Sequence, residues 1–209
     1  MNRAWQAGSS AEVPPDLKDA HMVWLPKPGK DASRPSGLRP IGLTHPLGKT
    51  VCAVLRDRVC PALQVALARR PQFAYTQGRS TMDALLRVHC HIRETSVLLQ
   101  QGKKNIYALH AGGKQARCLG GLSFSLDLED AFDSVPRREL ARSLRKLGVG
   151  EDCVHLLMQF HSQSRYHFNI GDHRSSVVST RGVKQGCRVA PYLFIALTLS
   201  IMDDLAEAL

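Results

Sequence analysis

Four acidic residues crowd the stretch LSFSLDLEDAFDSVP, Leu122 to Pro136. Leu122, Phe124 and Leu126 alternate as in a half-buried strand, and Asp127 stands at the end of that run with Glu129, Asp130 and Asp133 behind it. A carboxylate taken out of water alone is costly, so it must be paired, neutralised or bound to a metal. Mg2+ takes carboxylate oxygens and keeps its other positions for water and phosphates. A strand-end aspartate in a basic protein is therefore a reasonable ligand for phosphoryl transfer. The same acids also suit a plain capping and salt-bridging cluster, with Asp130 or Asp133 pairing with Arg137 or capping a turn.

A second group is RGVKQGCRVAPYLF, Arg181 to Phe194. Gly182 and Gly186 permit close backbone approach to a ligand. Gln185 between them can donate and accept hydrogen bonds at a base or sugar edge. Alone, the stretch reads equally well as a hairpin exit and helix start. A third group is a basic loop, where Lys27, Lys30, Arg34 and Arg39 fall within 13 residues rich in Pro and Gly. Lysine gives a mobile point charge and arginine a forked donor, both suited to triphosphate oxygens. An ordinary surface loop has the same composition.

These groups need elements to hold them. His21 to Leu25 fits a strand, and Pro26 to Leu43 a strand–loop–strand with a basic tip. Pro46 to about Arg70 carries Val51, Val54, Leu55 and Val59 at helical steps, with Pro61 expected to split or kink it. A second helix is expected from Ser80 or Thr81, with Asp83 placed as in a capping box and Leu85, Leu86 and Val88 following. Gln100 to Gly121 is polar and Gly-rich, with Lys103, Lys104, Lys114 and Arg117, and reads as an exposed loop. Pro136 should open a helix and Gly148 close it, with Leu140, Leu144 and Leu147 inside and Arg137, Arg138, Arg142, Arg145 and Lys146 on a basic face. Glu151 to His161 reads as a short helix. Arg165 to Ile170 and Arg174 to Thr180 read as a hairpin around Gly171-Asp172, and Ala190 to Leu209 as a buried helix.

The 209 residues are 44% hydrophobic, enough for one sizeable core, and carry a net charge of +10. That excess favours a polyanionic partner. No stretch approaches the roughly 20 apolar residues of a membrane span, and the polar first 20 or so residues lack the apolar core of a signal peptide and read as a loose leader. An intracellular protein is expected. The six cysteines, Cys52, Cys60, Cys90, Cys118, Cys153 and Cys187, form no CxxC pair and read as reduced thiols in or near a core. His89-Cys90-His91 lacks a second ligand pair at zinc spacing.

Taken in order, WLPKPGKDASRPSGLRPIGLTHPLGKTV, QFAYTQGRSTMDALLRV, FSLDLEDAFDSVPRREL and RGVKQGCRVAPYLF resemble the reverse transcriptase domain of non-LTR (LINE-type) retrotransposons. The likeness runs from about Met22 to Leu205. The residue after Gln185-Gly186 is more similar to retrotransposon enzymes than to group II intron maturases, which remain an alternative. The resemblance implies an α+β right-hand polymerase with fingers and a partial palm, helices packed on a small antiparallel sheet. Residues 21–121 would be the fingers-like part and 122–209 the partial palm. It implies RNA template, DNA primer and deoxynucleoside triphosphate as partners, and Mg2+ as cofactor. Asp127 would be the metal-binding palm aspartate. The backbone of Leu128, Glu129, Asp130 and Ala131 would lie beneath the triphosphate, and Phe132 would be the steric gate against a 2′-OH. Gln185 and Gly186 would line the nascent base pair. Lys27, Lys30, Arg34, Arg39 and also Arg79 would grip triphosphate and template, while Asp133 would support the fold.

The sequence departs from the family pattern at Arg188 and Ala190, where that pattern has Pro and Ser. Asp203-Asp204 invites the label of the family's second acidic box, but it sits at helical spacing with Phe194, Leu197, Ile201 and Leu205, and the label is declined. The chain is thus expected to be an incomplete, inactive polymerase fragment. A noncatalytic RNA-binding module is the reading from another class.

Overall fold

In the computed structural model, residues 12–102, 107, 110–112 and 123–208 are described. They divide into a body, the residues up to Arg70 with Glu129–Leu209, and a second unit, Pro71–Leu128. Lys103, Lys104, Lys114, Arg117, Cys118 and Leu122 lie outside the described residues.

The body holds a four-stranded sheet and five of the helices. Strand β1 (Ala20–Pro26) pairs antiparallel with β2 (Leu38–Thr44), from Ala20 opposite Thr44 to Pro26 opposite Leu38. The loop between them closes through one 3-10 turn, Pro35–Gly37, and the Lys27 N–H donates to Gly37 O at 2.8 Å. Strands β3 (Arg165–Ile170) and β4 (His173–Val178) form the expected hairpin, with Gly171 in the left-handed region at φ 58° where a residue with Cβ is disfavoured. The order is β2-β1-β3-β4. The α+β layout stands, but the sheet is mixed rather than antiparallel throughout: β1 and β3 run parallel, Ala20 beside Tyr166 and Met22 beside Phe168. Two antiparallel hairpins far apart in sequence meet side by side there, and residue pattern alone does not state the direction of that seam.

Short helix α1 (Pro15–Lys18) precedes the sheet, within the segment that the sequence reads as a leader. Val13 is buried and its N–H donates to Gln159 Oε1 at 3.1 Å. Helix α2 (Pro46–Leu67) buries Cys52, Leu55, Val59, Leu63 and Leu67 at three- and four-residue steps, while Val54 points outward. Pro61 lies inside it without dividing it. Gly48 is packed so closely on α1 that an added Cβ would meet Leu17 O at 2.2 Å.

Helix α4 (Arg137–Lys146), with Pro136 at its N-cap rather than its first turn, buries Leu140 and Leu144. Gly148, at φ 81°, ends it by donating to Arg145 O at 2.9 Å. Helix α5 (Glu151–His161) buries Val154, Leu157 and Phe160, and helix α6 (Ala190–Ala208) buries Leu193, Ile195, Ala196 and Leu199. These stripes and that of α2 form one core, in which each fully buried Leu or Phe contributes about 1.5–3 kcal/mol. The stripe expected along α6 ends early: Ile201 and Leu205 are exposed.

In the second unit, helix α3 (Thr81–Gly102) starts as its sequence predicts. The Ser80 N–H and hydroxyl donate to Asp83 Oδ2 at 2.6 and 2.7 Å, and the Asp83 N–H donates back to Ser80 Oγ at 3.3 Å. The helix still includes Gln100–Gly102, where the sequence suggests a loop. Its Leu85, Leu86 and Val88 are exposed. Among the described residues no helix is long and apolar enough to cross a membrane.

Candidate nucleotide and nucleic-acid site

The strand expected from Leu122 to Asp127 is not formed by the described residues. Residues 123–128 are exposed and unpaired, with Phe124 79% and Leu126 88% exposed. Alternation marks a segment able to cover a core with one face, but a strand also needs a neighbour to take its backbone hydrogen bonds. Asp127 therefore stands on exposed backbone, and its Oδ1 accepts from the Leu128 N–H at 3.0 Å.

A tight turn follows. Asp130 adopts φ 48°, a region that aspartate tolerates better than most residues, and its carbonyl accepts from Ser134 N at 2.9 Å. Leu128, Glu129 and Asp130 are exposed and Ala131 is half-buried. The Phe132 ring stacks on Phe194, centroids 5.2 Å apart, and its carbonyl accepts from Val183 N at 2.8 Å.

This turn meets the glutamine segment through Asp133. The Gln185 Nε2 donates to Asp133 Oδ2 at 2.9 Å. Burial, offset in part by that hydrogen bond, pushes the Asp133 carboxyl above its ordinary range. On its other side the turn is seated on β2: the Gly42 N–H donates to Gln185 O at 2.9 Å, and an added Cβ on Gly186, at φ 100°, would meet Gly42 O at 2.6 Å. Gly182, at φ 81°, lies as close to the Asp133 backbone, with Asp133 O 2.6 Å from an added Cβ. Both glycines permit close approach, as expected, but their partner is the protein's own backbone.

Arg137 departs from the basic face assigned to it. Its Nε donates to Gly182 O and its two Nη atoms to Ser179 O and Arg181 O, each at 2.9 Å, with a further bond to Ser179 Oγ. The half-buried guanidinium, its pKa lowered by that burial, thus closes the turn that ends at Gln185. Arg138, Arg142, Arg145 and Lys146 remain exposed. Lys184 points the opposite way from solvent: it is 3% exposed and its Nζ donates to Phe160 O at 2.7 Å and to Lys18 O. Burial lowers its pKa to about 8.

In the basic loop, Lys30 and Arg34 are exposed, and Arg39, also exposed, stands in β2 opposite Leu25. Lys27 Nζ reaches Ser36 O at 3.1 Å, and Arg34 lies 3.6 Å from Asp31. Arg79 belongs to the second unit, where its Nη1 donates to Gln72 O at 2.7 Å. Asp203 and Asp204 are engaged structurally. Asp203 pairs with Arg70 at 2.6 Å and Asp204 with Lys146 at 3.2 Å.

Among the described residues no three His, Cys, Asp or Glu side chains converge so as to hold a metal ion. Asp127 offers a hard oxygen donor that suits Mg2+ in kind, and one carboxylate falls short of a site in number. Sequence reasoning missed Gly42, Lys184 and the inward role of Arg137. Gly42 had a signal, since a glycine inside a strand often marks close backbone approach.

The profile of the family described as "Reverse transcriptase (RNA-dependent DNA polymerase)" matches residues 25–209. The chain is also similar to the "Retrovirus-related Pol polyprotein from type-1 retrotransposable element R2" of Popillia japonica, 26% identical over 195 residues. That alignment covers 92% of this chain and 24% of the polyprotein, so the chain spans about a quarter of the length of that curated relative.

Proposed function

Since the chain belongs to the reverse transcriptase (RNA-dependent DNA polymerase) family, in its LINE-type retrotransposon branch, we propose that it presents the nucleotide- and template-facing surface of an RNA-directed DNA polymerase. Its partners on this reading are an RNA template, a DNA primer and a deoxynucleoside triphosphate. The observation that carries the proposal is the double anchoring of the glutamine turn, to Asp133 on one side and Gly42 on the other. A side chain that reads the edge of a base pair must be held before the pair arrives, because ordering it during binding costs affinity.

Gln185 and Gly186 line the nascent base pair. Phe132, held against Phe194, excludes a ribose 2′-OH by shape. The backbone of Leu128 to Ala131 lies under the triphosphate, and Lys27, Lys30, Arg34, Arg39 and Arg79 face phosphates. Asp127 would supply one ligand to Mg2+, the cofactor this reading implies, and the ion would neutralise phosphate charge.

Titration of Mg2+ and deoxynucleoside triphosphate into the chain bound to an RNA–DNA template–primer tests the reading. Mg2+-dependent binding that is lost in Asp127→Ala and Gln185→Ala supports it. Binding that ignores both substitutions removes it. The net charge of +10 favours one second reading, a noncatalytic RNA-binding module. Salt-sensitive RNA binding without any primer extension would select that reading.

A further inference from the structure

The residue before Gln185 points into the protein. Lys184 is buried, and its Nζ donates to Phe160 O at 2.7 Å and to Lys18 O. A buried ammonium is costly unless its protons are accepted. Both acceptors are carbonyls at helix C-terminal ends: Lys18 closes α1, and Phe160 lies in the last turn of α5. Such carbonyls have no partner within their own helix, and a cation suits the negative end of a helix such as α5. The lysine therefore satisfies two helix ends at once and is itself held by them.

One of those ends belongs to a strap, residues 12–19, that three elements grip independently of the turn. The Val13 N–H donates to Gln159 Oε1 on α5 at 3.1 Å. Leu17 O lies so near Gly48 on α2 that an added Cβ would come within 2.2 Å of it. Asp19 accepts from the Arg165 N–H of β3 at 2.8 Å and lies 3.5 Å from His167. Lys184 thus meets a carbonyl whose position is set by α2, α5 and β3. One residue further on, Gln185 holds Asp133 with its side chain and Gly42 with its carbonyl. With Lys184 fixed from beneath, the backbone of Gln185 has little freedom to rise or rotate.

We propose that Lys184 is a positioning residue that couples the N-terminal strap to the glutamine turn, so that the seating of the strap sets how Gln185 is presented to a nascent base pair. The part concerning the base pair rests on the proposed function, and the coupling of strap to turn does not. Lys184 is the one side chain of the turn that reaches the strap by a hydrogen bond among those described. A displacement of Lys18 O therefore leaves the ammonium short of an acceptor, and the turn moves to recover one.

Hydrogen exchange of the full, nucleotide-free chain, read by mass spectrometry, tests the coupling. Lys184→Met keeps the length and removes the donors. It should speed exchange about tenfold in peptides spanning 12–19 and 182–187, as the loss of a hydrogen bond from a charged group implies, with α6 still protected. Gly48→Ala acts at a distance: its methyl group must push Leu17 away, and the same turn peptides should loosen although the turn itself is unaltered. If circular dichroism shows Lys184→Met to be unfolded, Lys184→Gln, which keeps a donor, replaces it. A Gly48→Ala chain with a loosened strap and a turn that exchanges as in wild type overturns the proposal. So does a Lys184→Met chain with both segments unchanged. The Mg2+-dependent titration then separates the two readings. Lys184→Met should bind deoxynucleoside triphosphate about tenfold more weakly, the cost of ordering a side chain on binding, while holding the template–primer as wild type does. A lysine with a merely structural role would weaken both together. A wild-type chain that binds no triphosphate overturns the base-pair part along with the proposed function. Equal triphosphate affinity in Lys184→Met and a wild type that does bind overturns the positioning role alone.

Discussion

The side-chain amide of Gln185 donates to the carboxylate of Asp133 at 2.9 Å, across 52 positions of sequence. With Nε2 committed to that bond, the amide of Gln185 has one orientation to present. Asp133 is therefore a positioning residue for the turn.

Replacing Asp133 by Ala should cost about 1 kcal/mol, the worth of one net hydrogen bond, whereas Asp133→Asn keeps an acceptor and should cost less. Because burial raises the folded carboxyl above its ordinary value, its stabilising contribution is complete below about 3.8 and is lost as pH rises through the folded value. The Asn variant should lack that loss. Chemical denaturation of the three proteins across acid to neutral pH measures both effects. Equal pH profiles for wild type and Asp133→Asn would contradict the placement.

Gly182→Ala and Gly186→Ala should each destabilise by about 2 kcal/mol or more, since each adds left-handed strain to a backbone clash. The clashes differ: Gly182 strikes Asp133 and Gly186 strikes Gly42 O, both at 2.6 Å. Thermal melts should show both losses, while Gly148→Ala, with open space around an added Cβ, should cost only its strain.

Arg137→Lys tests the clamp on Gly182, Ser179 and Arg181. A lysine keeps charge but cannot fork to three carbonyls. The expected loss is about 2 kcal/mol, and Arg138→Lys on the same helix should change stability by less than about 0.5 kcal/mol. Comparable melting temperatures for the two variants would argue that the arginine fork contributes nothing there.

Buried His161 is kept neutral, its pKa lowered first by burial. The unfolded chain therefore binds a proton that the folded chain refuses, and stability should fall as pH drops below about 6.5. His161→Leu removes that dependence and leaves no unpartnered ring nitrogens. Its urea midpoint between pH 5 and pH 7 should be flatter than that of wild type.

Asp127→Ala should leave the melting temperature unchanged, because the side chain is exposed and its hydrogen bond is to its own neighbour. Phe132→Ala should cost about 1–3 kcal/mol, from lost contact with Phe194. On the proposed function it should also admit ribonucleoside triphosphates. Competition between the two sugars in the binding assay reads that discrimination directly.

Local chemistry was readable before the fold was known. Ser80 and Asp83 announced their helix because both capping partners lie within one turn. Glu151–His161 and the Gly171 hairpin follow from short-range pattern in the same way. What stayed hidden depends on distant partners. Nothing at Phe124 or Leu126 says whether a neighbouring strand exists to pair with them. Arg137 looks like its exposed neighbours until the carbonyls of Ser179, Arg181 and Gly182 come to it.

The seating of Gln185 on Gly42 has a mechanical consequence. The hairpin of β1 and β2 carries the basic loop at one end and this weld near the other, joined by seven paired positions. It acts as a lever arm with Gly42 near its pivot. On the proposed function, load applied at the tip by a bound polyanion would be transmitted along the ladder to the glutamine, so that grip and readout would share one stiff part.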